Sequence, residues 1–382
     1  MKRLKQTFEI TPGKKIGMGQ PIYLVAEAGV NHNFHTKPNL NLAKNLIRLA
    51  KDTGFDAVKF QIWVTSLMCR PETKKAEYQK INTAGGAKQT QYRMIAELEL
   101  PFWAFLELKS YADEIGITFV STADEPFSLE FLDRYAGVPF FKIGSGELDN
   151  PQMHYETGKR KKPVMWSTGM GTMDEIITAR NNLLKAGCDR QIIYQCTSNY
   201  PADNKNANLN TMITIREKTG GLIGLSDHTT DNLASEIAAA LGAVAIERHI
   251  TIDKNLPGPD HRASLDPKEC QDFVRRARRP RSITELKKEY GEKTIKGILG
   301  SAEKKPVKEE LEVMAVVRKS AASGAKGIPA GTKLTEKSLP EWVYLMRPQD
   351  GEIKADEYYS LIGKTIQTNV PPFMPLKRTM LY

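Results

Sequence analysis

The 382-residue chain exceeds one average domain, and an eight-fold α/β barrel takes about 250 residues, so one large domain with a small companion is the first expectation. Hydrophobic content of 40% and charged content of 26% exclude a chain that is disordered overall. The 55 Lys and Arg against 45 Asp and Glu give +10, a balance that suits nucleic acid, a membrane surface or small anions alike.

The N-terminus, Met1-Lys2-Arg3-Leu4-Lys5, leads into no apolar run, so neither an export signal nor a membrane span is expected. Four irregularly spaced cysteines, Cys69, Cys188, Cys196 and Cys270, read as reduced thiols of a cytoplasmic protein. Basic clusters at Lys159-Arg160-Lys161-Lys162 and Arg275-Arg276, with Arg278, Arg279 and Arg281, lack the interleaved aromatics of a nucleic-acid groove and read as solvated faces. No nucleic-acid or membrane partner is expected.

In chain order, short apolar runs fall at 23–28, 57–62, 118–121, 140–143, 164–167, 191–196, 222–225 and 244–249. Amphipathic helical patterns lie between them, including 40–52, 102–115, 173–186 and 232–241, several closed by a glycine such as Gly54 or Gly116. Eight such repeats predict a (β/α)8 TIM barrel. The connection at about 63–117 is long enough for a lid over the barrel mouth. The barrel is expected to occupy 1–290, a linker 291–313 and a compact module of short strands and turns 314–382.

Barrel enzymes place working residues where strands end and loops begin, and those ends are crowded with polar groups here. Period-two alternation puts Lys59 and Gln61 on one side of the second strand, and Glu247 and His249 on one side of the eighth. Either His228 or His249 alone would read as a hydrogen-bonded structural residue. As a pair at adjacent strand tips they can share a divalent cation, with Glu27 or Asp260 adding a carboxylate or holding the cation's water. Lys59 and Lys142 could clamp a phosphate and a carboxylate, or one could form an imine, beside the small turn Gly144-Ser145-Gly146.

From Val25-Ala26-Glu27-Ala28-Gly29-Val30-Asn31-His32-Asn33 through Val58-Lys59-Phe60-Gln61, Phe141-Lys142-Ile143-Gly144-Ser145-Gly146-Glu147 and Gln195-Cys196-Thr197-Ser198-Asn199-Tyr200-Pro201, the chain strongly resembles the sialic acid synthase family. Gly224-Leu225-Ser226-Asp227-His228-Thr229, Ile246-Glu247-Arg248-His249 and Pro257-Gly258-Pro259-Asp260-His261 continue the match. Two departures are Ser121-Thr122-Ala123-Asp124, where the family reads Ser-Thr-Pro-Phe, and a longer, more basic stretch at about 275–310.

The resemblance implies condensation of phosphoenolpyruvate with unphosphorylated N-acetylmannosamine. The alternatives are a legionaminic or pseudaminic acid synthase acting on a diacetamido-trideoxy hexose, and a synthase specific for the 6-phosphate. It implies phosphoenolpyruvate on Lys59, Thr122, Lys142, Ser145, Ser198, Tyr200 and Ser226, and sugar on Glu27, Gln61, Asp260 and Arg347. A divalent metal, manganese or else magnesium or cobalt, would sit on His228 and His249, with Glu27, Glu247 and His249 in the catalytic roles. Lys326-Gly327-Ile328-Pro329-Ala330-Gly331 and Leu345-Met346-Arg347-Pro348 resemble the family's antifreeze-like (SAF) domain, which implies a homodimer with that domain swapped onto the partner barrel.

Overall fold

The computed structural model describes residues 3–32 and 40–382; Asn33, the last residue of the first motif, lies outside the described residues. Eight parallel strands close into a barrel: β3 (Tyr23–Gly29), β4 (Ala57–Ile62), β5 (Thr118–Ala123), β6 (Phe141–Ile143), β7 (Val164–Ser167), β8 (Gln191–Cys196), β9 (Leu222–Asp227) and β10 (Ala245–His249). β10 pairs with β3 to complete the ring. Nearly every strand residue is buried, because helices cover the outside and side chains fill the inside. That double burial makes the strands read as continuous apolar runs.

The chain first makes an antiparallel hairpin that the sequence reading did not anticipate, β1 (Thr7–Thr11) and β2 (Lys14–Gly17). Phe8, Ile10 and Ile16 join the barrel core, and Lys5 N–H donates to the Asp189 carbonyl just ahead of β8, so the hairpin closes the N-terminal end. The excursion after β4 forms helices Thr65–Met68, Glu77–Asn82 and Gln91–Leu98. Asn82 Nδ2 donates to the Pro259 carbonyl at 2.9 Å, which ties this lid across the mouth to the loop after β10.

The stretch 291–313, expected as a linker, instead carries helix Glu292–Leu299 and most of helix Lys308–Val317. Ile295 and Ile298 sit in the barrel core, so the barrel continues past 290. The basic cluster behind it is a set of fasteners: Arg276 Nη1 lies 3.0 Å from Glu236, Arg281 also pairs with Glu236, and Arg278 lies 2.9 Å from Asp56. The C-terminal module fits the expected SAF-like domain. It pairs β11 (Ser320–Ser323) with β12 (Val343–Met346) over a small core that includes Ile328, Leu334, Tyr358 and Leu376.

Within one chain this module caps the barrel mouth, the position that the swap implied by the resemblance would give it on a partner barrel. Arg347 N–H donates to the Met68 carbonyl at 2.8 Å, Arg70 N–H to the Arg347 carbonyl at 3.0 Å, and Lys319 Nζ lies 2.6 Å from Glu147. Lys304, between the two helices, donates to Gln195 Oε1 at 3.0 Å, so the connecting chain stays on its own barrel. Exchange of the module between two copies would reuse these same contacts. Among the described residues no helix is long and apolar enough to cross a membrane, and all four cysteines are free and buried.

Candidate active site at the barrel mouth

Register decides which side chains meet. His249 of β10 pairs with Glu27 of β3, which pairs with Lys59 of β4; one step nearer the mouth, Gln61 pairs with Thr122 of β5 and Thr122 with Lys142 of β6. These form two layers of inward-facing side chains. Every site residue singled out in the sequence lines the one cavity above them, from Glu27 on β3 to Arg347 on the C-terminal module. The alternate residues Asp227 and Arg248 pair with each other away from that cavity at 2.5 Å.

The floor is a chain of alternating charge. Lys59 Nζ lies 2.5 Å from Glu27 and 3.8 Å from Glu247, and Lys142 Nζ lies 3.3 Å from Glu247. Each of these side chains is no more than 5% exposed. Hydroxyls complete the set: Lys59 donates to Thr122 Oγ1 and Lys142 to Ser167 Oγ, both at 2.9 Å, and Ser226 Oγ donates to Glu247 at 3.1 Å. Gly169 N–H donates to Ser145 Oγ at 3.0 Å, and a Cβ on Gly169 would overlap the hydroxyls of Ser198 and Ser145. Ser145, Gly169 and Ser198 thus converge beside Lys142, an end suited to an anion.

The buried charges tune one another. Burial raises Glu27 to about 7 against the pull of Lys59, with Glu247 adding to the rise. Burial works against ionisation of Glu247 too, yet Lys142 and Lys59 overcome it and hold that carboxylate below its ordinary range. Burial also lowers Lys142, opposed by Glu247. At neutral pH Glu247 is therefore ionised and Glu27 stands near its titration point, with the two lysines between and beside them.

His228 and His249 meet above this floor with ring centroids 5.2 Å apart, and the Tyr200 ring packs against both. The Thr197 carbonyl, 2.8 Å from His228 Nδ1, can only accept, so that nitrogen carries a proton; although burial opposes it, Cys196 and that carbonyl raise His228 above the ordinary imidazole range. Burial, with His228 beside it, holds His249 well below the ordinary imidazole range. Its Nδ1 is buried without a hydrogen-bond partner and lies 3.8 Å from Asp260. Among the described residues no three His, Cys, Asp or Glu are grouped to hold an ion. Two imidazoles, one with an orphaned nitrogen beside a carboxylate, still fit a divalent cation, which would displace any second proton from His228 on binding.

The far side is less polar. Gln61 donates to Glu27 at 2.7 Å, and Arg347 lies 3.6 Å from Asp124. Val30, Trp63, Met68, Met94, Ile95 and Leu98 make an apolar wall. The lid also brings Tyr78 and Gln79, which the sequence did not single out. A third missed residue, at the anion end, is Glu310, buried directly behind Ser198. Its clue was a helix-start pattern, Pro306 followed by Glu309 and Glu310, in a stretch read as linker.

A closed parallel barrel with lysines, carboxylates and paired histidines at its C-terminal rim defines a barrel of the enzyme class, with a mouth built for an anionic ligand. The chain belongs to the NeuB family, whose profile matches residues 46–289. It is 35% identical to the N,N'-diacetyllegionaminic acid synthase of Legionella pneumophila over 94% of both chains. It is 38% identical to the N,N'-diacetyllegionaminic acid synthase of Campylobacter jejuni over 91% of this chain and 96% of that one. The crystal structure of the N-acetylneuraminic acid synthetase of Leptospira borgpetersenii in complex with citrate superposes with a TM-score of 0.61 at 28% identity, covering 82% of this chain and 97% of that one.

Proposed function

We propose that this chain condenses phosphoenolpyruvate with an unphosphorylated 2,4-diacetamido-2,4,6-trideoxy hexose and water, giving a legionaminic-acid-type nonulosonic acid and phosphate. The observation that carries it is the alternating floor of Glu27, Lys59, Glu247 and Lys142 facing an apolar wall. The lysines suit the phosphate and carboxylate of phosphoenolpyruvate, and the wall suits a sugar whose C6 is a methyl group. The relatives in Legionella and Campylobacter support this acceptor over N-acetylmannosamine. The Leptospira relative keeps N-acetylmannosamine as the second reading.

Lys59 and Lys142 hold the anionic groups, with the hydroxyls of Thr122, Ser145, Ser198 and Ser226 around them and the Tyr200 ring as a side wall. Gln61, Asp260 and Arg347 orient the open-chain sugar so that its aldehyde carbon faces the methylene carbon of phosphoenolpyruvate. His228 and His249 would hold a divalent cation, which would supply Lewis-acid polarisation of the aldehyde oxygen. As the carbon–carbon bond forms, C2 becomes cationic; Glu247, ionised between two lysines, faces that charge and orients the water that adds to C2. The tetrahedral centre then expels phosphate and leaves the keto acid. Glu27, near its titration point, holds a sugar hydroxyl or exchanges a proton with it.

The pH dependence follows in sign. Below about 7 Glu27 is neutral and Lys59 keeps only the more distant Glu247; above it the Glu27 carboxylate competes with the anion for Lys59. The KM for phosphoenolpyruvate should therefore rise by roughly tenfold between about pH 6 and pH 8, the effect of about 1.4 kcal/mol. Glu27→Gln should flatten that rise relative to the parent enzyme, and an unchanged slope in the variant would assign the titration elsewhere.

The acceptor is tested by kcat/KM for the diacetamido-trideoxy hexose, N-acetylmannosamine and its 6-phosphate, with manganese and with chelator. The first should exceed the others by about tenfold or more, the value of a well-placed apolar contact or two, and chelator should stop all turnover. Preference for the 6-phosphate would reject the assignment of the wall.

A further inference from the structure

We propose that Glu310, on the helix Lys308–Val317 that joins the two domains, is a positioning residue for the anion end of the cavity. This helix and Arg318 directly after it fix the backbone on which phosphoenolpyruvate is held. The inference rests on the reading of that end given above.

One oxygen of Glu310 accepts two backbone N–H bonds from different loops, Met170 after β7 and Ser198 after β8, each at 2.7 Å. The other oxygen accepts from Val307 N–H at 3.0 Å and so caps the helix itself. The side chain is 2% exposed. A buried carboxylate shared between two loops fixes their spacing, because charge-assisted bonds of this length are strong and directional.

Met170 is held from both sides. Its N–H goes to Glu310, and its carbonyl accepts from Arg318 Nη2 at 3.0 Å. Met170 is not glycine and has φ of +59°, a conformation that persists only where its surroundings impose it. The residue before it, Gly169, donates to Ser145, and no Cβ fits there beside Ser198. Ser145, Gly169, Met170 and Ser198 thus make one surface, and the joining helix braces it from behind. Val313 and Val317 of the same helix line the cavity, so removing the helix would open that wall as well. Docking of the C-terminal module, anchored through Arg318 on Glu175 at 2.6 Å and Lys319 on Glu147, is thereby coupled to the anion end.

Three variants separate positioning from helix capping. Glu310→Gln keeps an oxygen spanning Met170 and Ser198 at the same reach but gives up the charge and presents an amide to Val307 N–H, so the cap is lost while the spacing of the two loops is kept. Glu310→Asp keeps the charge and withdraws it by one methylene, and Glu310→Ala removes both functions. Phosphoenolpyruvate binding is followed by calorimetry, and the KM of each substrate by phosphate release.

Glu310→Ala and Glu310→Asp should weaken phosphoenolpyruvate binding by about tenfold or more, with the acceptor KM changed by less than about threefold, while Glu310→Gln stays within about threefold of the parent. Amide hydrogen exchange over 168–172 and 196–200 should quicken in the alanine and aspartate variants alone. Equal losses in glutamine and alanine variants, or unchanged phosphoenolpyruvate binding in the aspartate variant, would overturn the proposal. Absence of phosphoenolpyruvate binding in the parent protein would instead overturn the functional reading on which it rests.

Discussion

Methionine in place of Lys142 should lower the rate of phosphate release by about 100-fold or more, the loss found when one preorganised charge donor is removed from a developing anion. Lys142 is buried, donates to Ser167 at 2.9 Å and lies 3.3 Å from Glu247. Methionine matches its length without its charge, so the cavity keeps its shape. Glu247 retains Lys59 at 3.8 Å and the Ser226 hydroxyl at 3.1 Å, so folding should survive. Rates are measured alongside thermal unfolding, and a normal melting curve with lost turnover assigns the effect to chemistry. Borohydride with substrate should trap no adduct on Lys142 or Lys59, because an imine has no part in the route above. Near-parent rates in a folded Lys142→Met variant would remove that lysine from the anion site.

The second large effect is on stability. Arg248 is 1% exposed and holds Asp227 at 2.5 Å and the Thr229 and Asp231 carbonyls at 2.8 and 2.9 Å. Arg248→Met strands the Asp227 carboxylate in the layer between strand and helix, with only Ser235 and the Thr229 N–H and hydroxyl to answer it. Breaking a buried pair in this way costs about 3–5 kcal/mol. It is read as a fall in the denaturant midpoint. The double variant Asp227→Leu with Arg248→Met should recover much of that loss, since no unpaired charge remains. Because the pair faces away from the cavity, kcat/KM in the folded fraction should change far less than in Lys142→Met.

The barrel was legible because strands buried on both faces cannot hide their pattern: 57–62, 164–167 and 191–196 carry the same bounds in sequence and structure. β5 and β9 run two residues beyond the expected ends, to Ala123 and Asp227. Polar residues at a barrel mouth look like loop when read as sequence, yet they still pair in the ladder. The N-terminal hairpin escaped notice because its strands are short and half exposed, with charged residues on the outer face and only Pro12-Gly13 to mark the turn. Helix Glu292–Leu299 escaped for a related reason: its buried Ile295 and Ile298 sit in a charged run between Gly291 and Gly300.

The site divides in the same way. Its strand-end residues were legible because alternation and strand order bring them together whatever the loops do. Glu310 was not, because its partners are backbone N–H groups of residues 140 and 112 positions away, and a backbone donor leaves no mark in sequence. Nor does sequence say which copy's barrel a module covers.

The central claim is that this barrel joins the three carbons of phosphoenolpyruvate to an acylated amino sugar. Mass spectrometry of the products, after incubation with phosphoenolpyruvate, manganese and the diacetamido-trideoxy hexose, tests it most directly. The expected product is a single new sugar acid, heavier than the acceptor by one pyruvate unit, with one phosphate released for each molecule formed. Phosphoenolpyruvate and sugar recovered unchanged from the folded, metal-loaded protein would contradict it.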